Sequence, residues 1–312
     1  DFEKEDLPQT RWQLFWDTLR VRLSGLVRLN LMYMLAWLPT IIILALTVLS
    51  VFGNLTSVES GAITQAEMTT YLQSLPTLTL LLLIPCITLT GPFTAGAAYV
   101  TRNWARDEHA FIWSDFKDAV KENWKQALLT SFITSLMPLL MYVCYVFYGQ
   151  QAQSSMFFIV PQALALIVGI LWMMSLMYQY PLMITYKLKW TQVVRNGWLL
   201  TIARLPQTAG LKLLSLVPFA IAYGVGMLGV NLLTVLLVLL LWYVVIGFAL
   251  SRFVHGSYAN AVFDKYINPN IEGAKVGQGL YHEDEGEDTV DDSVVVPGIT
   301  DAAEPKDDAH NS

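Results

Sequence analysis

Five stretches of this chain, residues 29–52, 75–100, 127–147, 156–186 and 213–250, contain no Asp, Glu, Lys or Arg. About 20 apolar residues are enough to cross a hydrocarbon layer roughly 30 Å thick. Inside lipid no water satisfies the backbone, so runs of this length must be helices that close their own hydrogen bonds. A membrane barrel would instead show short segments alternating apolar and polar residues, and the runs here do not alternate. The last run is 38 residues long, about 57 Å as a single helix at 1.5 Å per residue, nearly twice the layer. Gly224, Gly226, Gly229 and Asn231 stand near its middle, where a tight turn fits. The reading is therefore six transmembrane helices in an all-α polytopic membrane protein.

The basic residues orient it. Every Lys and Arg falls before the first span, between spans two and three, between spans four and five, or after span six. The connections near 53–74, 148–155 and 229–231 carry none. The positive-inside rule makes the basic side cytoplasmic and predicts both ends inside. The expected organisation is a cytoplasmic N-terminal segment (1–28), a membrane domain (29–254), a cytoplasmic helical extension (255–280) and an acidic tail (281–312). That tail dominates the net charge of −6, because from Glu283 onward eleven acidic residues face Lys306 alone. It is too acidic and too poor in large apolar residues to fold by itself, and is expected to be disordered. The chain starts with Asp, so residues are expected to be missing before it.

On the basic side, Trp113, Phe116, Val120 and Trp124 share a helical face, and Lys117, Lys121 and Lys125 form a separate row. Ser114 is the expected N-cap of this helix. In the second inner loop Trp190, Val194, Trp198, Thr201 and Leu205 share a face in the same way. An aromatic face with a charged back suits a helix lying in the membrane interface or docking in a partner's groove. Trp113, Phe116, Trp124, Trp190 and Trp198 are the candidate partner-docking residues. Asn268-Pro269 should end the last helix.

Gly91-Pro92-Phe93-Thr94-Ala95-Gly96 closes the second span. Pro92 removes a backbone donor, and Gly91 and Gly96 have no side chain to keep a neighbouring helix away. Gly91, Pro92 and Gly96 are the candidate helix hinge. Arg106-Asp107-Glu108-His109 is the densest titratable cluster, but adjacent residues lack ligand spacing and read as helix-end ion pairing. Cys86 and Cys144 lie within spans and read as small apolar residues. No nucleotide loop, nucleophile elbow or zinc motif is present. Neither an enzyme nor a bound cofactor or metal is expected. Intramembrane charge usually marks an ion or proton path, and its absence from the runs argues against a coupled transporter. Gln162, Gln179 and Asn231 remain possible ligands for a polar solute.

Four stretches, LVRLNLMYMLAWLP, GPFTAGAAYVTRNWARDEHAFIWSDFKDA, NWKQ and NAVFDKYINPNIEGA, resemble the bacterial YesL-like membrane protein family, a domain-of-unknown-function group. The resemblance runs from about Trp12 to Ala274, with Asn270 where relatives are expected to have Arg. It implies a multi-pass protein of the bacterial cytoplasmic membrane, often encoded beside ATP-driven sugar-uptake transporters. The expectation is a non-enzymatic accessory or regulatory protein whose partners are the lipid bilayer and a carbohydrate transporter or other membrane protein, not nucleic acid. A transporter or channel subunit for a small polar solute is the rival.

Overall fold

The computed structural model describes residues 8–281. The acidic tail from residue 282 and the first seven residues lie outside the described residues.

Among the described residues the chain is helical throughout, with no strand. In chain order the helices are α1 (Arg11–Glu59), α2 (Gln65–Ala105), α3 (Ile112–Ala152), α4 (Ile159–Thr185), α5 (Trp190–Ala203), α6 (Leu205–Ser215), α7 (Val217–Met227), α8 (Leu232–Trp242) and α9 (Phe248–Tyr266). A single π turn, Tyr243–Gly247, joins α8 to α9. Five helical stretches are long and apolar enough to cross a membrane, and there are six if α6 and α7 count as one bent span. Several outrun the layer. α1 has 49 residues, about 74 Å at the α-helical rise.

The break expected inside 213–250 is present. α7 ends at Met227, Gly229 takes a left-handed φ of 85°, and the Asn231 side chain accepts from Leu233 N at 2.9 Å to start α8. The fifth span differs from its expected form: it begins at Leu205 and bends by 46° between α6 and α7. Pro218, in the first turn of α7, has no N–H to return to the preceding turn, so the ladder is interrupted there. Pro39, Pro85, Pro92, Pro138 and Pro181 by contrast lie inside continuous helices. α3 also starts earlier than its expected cap. It opens at Ile112, and the Asp115 carboxylate, not Ser114, takes the orphan Phe111 N–H at 2.8 Å.

The chain divides into two compact units. One comprises Met34–Pro92 and Lys125–Met173, and its only charged residues are Glu59, Glu67 and Lys125. Its helix segments meet through small and hydroxyl side chains. Ser131 Oγ donates to Ile87 O at 2.6 Å, Thr88 meets Ser135 at 3.2 Å, and Trp172 Nε1 donates to Thr134 at 3.0 Å. Where lipid tails are as apolar as Leu, close backbone approach and interhelical hydrogen bonds hold helices together, and leucines face outward. The other unit comprises Asp1–Tyr33, Phe93–Trp124 and Met174–Ser312. It holds all but one of the 19 Lys and Arg residues. It also holds the largest fully buried side chains, among them Trp104, Arg102, Tyr33, Tyr178 and Phe253. The functional features below lie in this unit.

Candidate functional site: a groove beside the π turn

The site starts with one buried amide. Asn30 on α1 is fully buried and turns both ends of its side chain onto the last span. Its Nδ2 donates to Tyr243 O at 2.8 Å and Val244 O at 2.7 Å, and its Oδ1 accepts from Ala249 N at 2.8 Å. Those are backbone groups that an uninterrupted α ladder would use itself. A side chain inserted into the ladder is a known cause of helix distortion, and single π turns concentrate at functional sites. Gly247 completes the turn, because a Cβ there would stand 2.7 Å from Tyr243 Cδ1.

The π turn, the first part of α9, the α6–α7 bend and the start of α1 together wall a cavity of about 850 Å³. Its lining is mostly aromatic and aliphatic, with Trp12, Trp16, Leu214, Pro218, Trp242 and Phe248 as its main apolar surfaces. Two charges reach it, Arg11 and Arg252. Arg11 is answered by an ion pair with Asp264. Arg252 sits over the Tyr180 ring at 5.6 Å and has no carboxylate partner among the described residues. Ser215, also on the wall, meets His255 Nε2 at 3.1 Å.

Beyond Arg11 a polar network ties the groove to the ends of α2 and α9. Asn268 Nδ2 donates to Asp264 at 2.6 Å, and Tyr186 OH donates to Asn268 Oδ1 at 2.5 Å. Arg11 Nη1 and Arg106 Nη2 both reach Gln278. Arg102 is 2 % exposed; its Nε and Nη2 donate to Asn103 Oδ1, it lies over Tyr99, and its carbonyl accepts from Asn260 Nδ2 at 3.3 Å. The network is built for cohesion. Its groups are satisfied by one another, and no three His, Cys, Asp or Glu side chains converge on a metal position among the described residues. His109 is exposed on the loop after α2.

The structure distributes the sequence-derived residues unevenly. Phe116 is buried beneath Gly96, where a Cβ would come within 2.9 Å of its ring. It is a core residue and not an accessible anchor. Trp113 and Trp124 are 68 % and 48 % exposed, and Trp190 and Trp198 are half-buried. α5 buries Val193, Asn196, Gly197, Leu200 and Thr201, so of the expected aromatic face only Thr201 is turned fully inward. Gly91, Pro92 and Gly96 lie in an unbroken α2, where Gly91 lets α3 approach so closely that a Cβ would overlap the Ala127 carbonyl. Gln162 is engaged with Tyr145 O, and Gln179 is enclosed against Ser175 and Gly197. Cys86 and Cys144 are free thiols. Asn30, Arg102, Lys212 and Arg252 were not singled out by sequence pattern. Only the stretches carrying Asn30 and Arg102 held a signal, since both lie in segments that read as distinctive.

No curated protein and no solved structure matches the chain. Residues 26–145, well under half its length, match the family described as Protein of unknown function, DUF624, and this similarity takes in Asn30, the Gly91–Gly96 element and most of α3 while stopping short of α4 and everything after it.

Proposed function

We propose that the protein is a non-enzymatic accessory or regulatory component of a bacterial cytoplasmic membrane, with both ends in the cytoplasm. It docks a partner through the exposed side of α3. The partner class implied by the YesL-like resemblance is an ATP-driven carbohydrate uptake system. The observation that carries the reading is the strip on α3 left over after Phe116, Ala119 and Asn123 are buried. Trp113, Lys117, Lys121 and Trp124 are all exposed along it. Trp113 and Trp124 are eleven residues apart, three helical turns, so they bracket one side. Interfaces concentrate their energy in a few such aromatic anchors. The orientation is supported by the distribution of charge along the sequence: the connections 53–74, 148–155 and 229–231 carry no Lys or Arg.

The test is co-purification from mild detergent. Trp113→Ala with Trp124→Ala should weaken partner recovery while leaving expression unchanged and reporters fused after Lys121 or Arg195 cytoplasmic. An external reporter signal after Arg195 would overturn the topology. The rival solute-conducting role draws less support, since neither Gln162 nor Gln179 lines the groove. Saturable sugar uptake by vesicles holding this protein alone, abolished by Gln179→Leu, would replace the accessory reading.

A further inference from the structure

The groove beside the π turn is apolar, yet its wall carries one cation without a counter-charge, Arg252, and a second, Lys212, stands close to it. Arg252 lines it without a carboxylate. Lys212 lies on α6 between the lining residues Leu211 and Leu214, and has neither ion pair nor hydrogen bond among the described residues. Lys212 and His255 are both within Coulombic reach of Arg252. His255 is 5 % exposed, and its Nδ1 has no hydrogen-bond partner among the described residues. The buried Oγ of Ser257, which does line the groove, also has none among the described residues. Asp264 is already committed to Arg11 and Asn268. A cation in an apolar span costs about 2.5–3.5 kcal/mol and is retained where something answers it.

We propose that this groove binds an anionic phospholipid of the surrounding bilayer, with its phosphate at Arg252 and Lys212 and an acyl chain along the aromatic wall. The volume of about 850 Å³ falls within the roughly 300–1,000 Å³ of sites that enclose small ligands. The wall is open where a lipid would enter: Trp12 is 68 % exposed, Leu214 55 % and Trp242 42 %. A polar solute would face a wall that is mostly aromatic and aliphatic. A zwitterionic lipid would bring its own cation to a place that already has an excess. Basic pockets between transmembrane helices are suited to anionic headgroups. Ser257 Oγ and His255 offer further hydrogen-bonding atoms nearby, and Arg11, with its charge already paired, does not compete.

The experiment uses the full chain in mixed micelles containing equal phosphatidylglycerol and phosphatidylcholine, with retained lipid counted by native mass spectrometry. The wild-type protein should retain phosphatidylglycerol in about tenfold excess or more. Arg252→Gln with Lys212→Gln should bring the two lipids to near equality. If the double variant fails to fold, the wild-type protein supplies the answer, because its excess should fall severalfold between about 0.05 and 0.5 M salt as the charges are screened. Equal retention by the wild type, or an excess untouched by salt or by a folded double variant, overturns the proposal. So does a photo-cross-linker on Leu214→Cys that labels a second polypeptide in place of lipid.

Discussion

Replacing Asn30 by Leu is the sharpest probe of how the last span is held. The two side chains have similar volume, so packing is nearly conserved while three hydrogen bonds disappear, to Tyr243 O, Val244 O and Ala249 N. Polar bonds between membrane helices average about 0.6 kcal/mol and reach about 1.7 in double-mutant cycles. Three of them, all made by a fully buried group, place the loss at about 2–4 kcal/mol, since each freed backbone group is then left unpaired. Asn30→Asp keeps the acceptor for Ala249 N but turns an acceptor toward two carbonyls, so it should cost at least as much. The assay is reversible unfolding in mixed micelles by increasing the denaturing detergent. Hydrogen exchange at Ala249 N reports whether the π turn itself opens. If Asn30→Leu stays within about 0.5 kcal/mol of wild type, Asn30 is filling space and the π turn is set by its own sequence.

Gly96→Ala should destabilise by about 1–3 kcal/mol through overpacking against Phe116 and Val120. Gly256→Ala, whose nearest neighbour would be Thr101 Oγ1 at 3.7 Å, should be neutral or stabilise by about 0.5–1 kcal/mol; the same unfolding assay ranks the two, and the reverse order would refute the packing. Arg11→Gln and Asp264→Asn should show a coupling of about 1–3 kcal/mol in a double-mutant cycle, in the range of hydrogen bonds to charged groups. Additive losses would mean that the pair does not tie α1 to α9. Thr64→Ala removes the cap that exchanges hydrogen bonds with Glu67 at the start of α2, and should cost about 0.5–2 kcal/mol, with faster amide exchange confined to the first turn of that helix.

The elements that could be read from sequence were those decided locally. Charge-free runs marked the spans because lipid admits little else, Gly229 and Asn231 marked the turn between α7 and α8, and Asn268-Pro269 marked the end of α9. The features that shape the groove depend on partners far away in the chain. The π turn requires Asn30, which precedes Tyr243 by 213 residues, and nothing within the run 213–250 announces it. Pro218 bends its span while Pro138 and Pro181 leave theirs continuous, a difference that residue type alone does not encode. Phe116 looked like part of an accessible face until Gly96 supplied the space that takes it in. On α5 the inward side carries Asn196 and Gly197, which hydrophobic periodicity passes over. In the sequence Arg252 and Lys212 stand like any other basic residue; their lack of acidic partners is a property of packing.

A π turn amounts to one residue more than the α ladder would use, and it therefore changes the phase of everything that follows. From Phe248 onward each side chain is rotated by about 100° from where an uninterrupted α8 would have carried it. Asn260 and Asp264 reach Arg102 and Arg11 only in that shifted phase. The length of the stretch 243–247 is thus under tighter constraint than the identity of most residues in it. Deleting a single position there would restore a regular ladder and remove the need for Asn30, but it would turn the contact side of α9 away from its partners by more than a quarter of a revolution. In a multi-pass helix, one residue of length can be a change of interface.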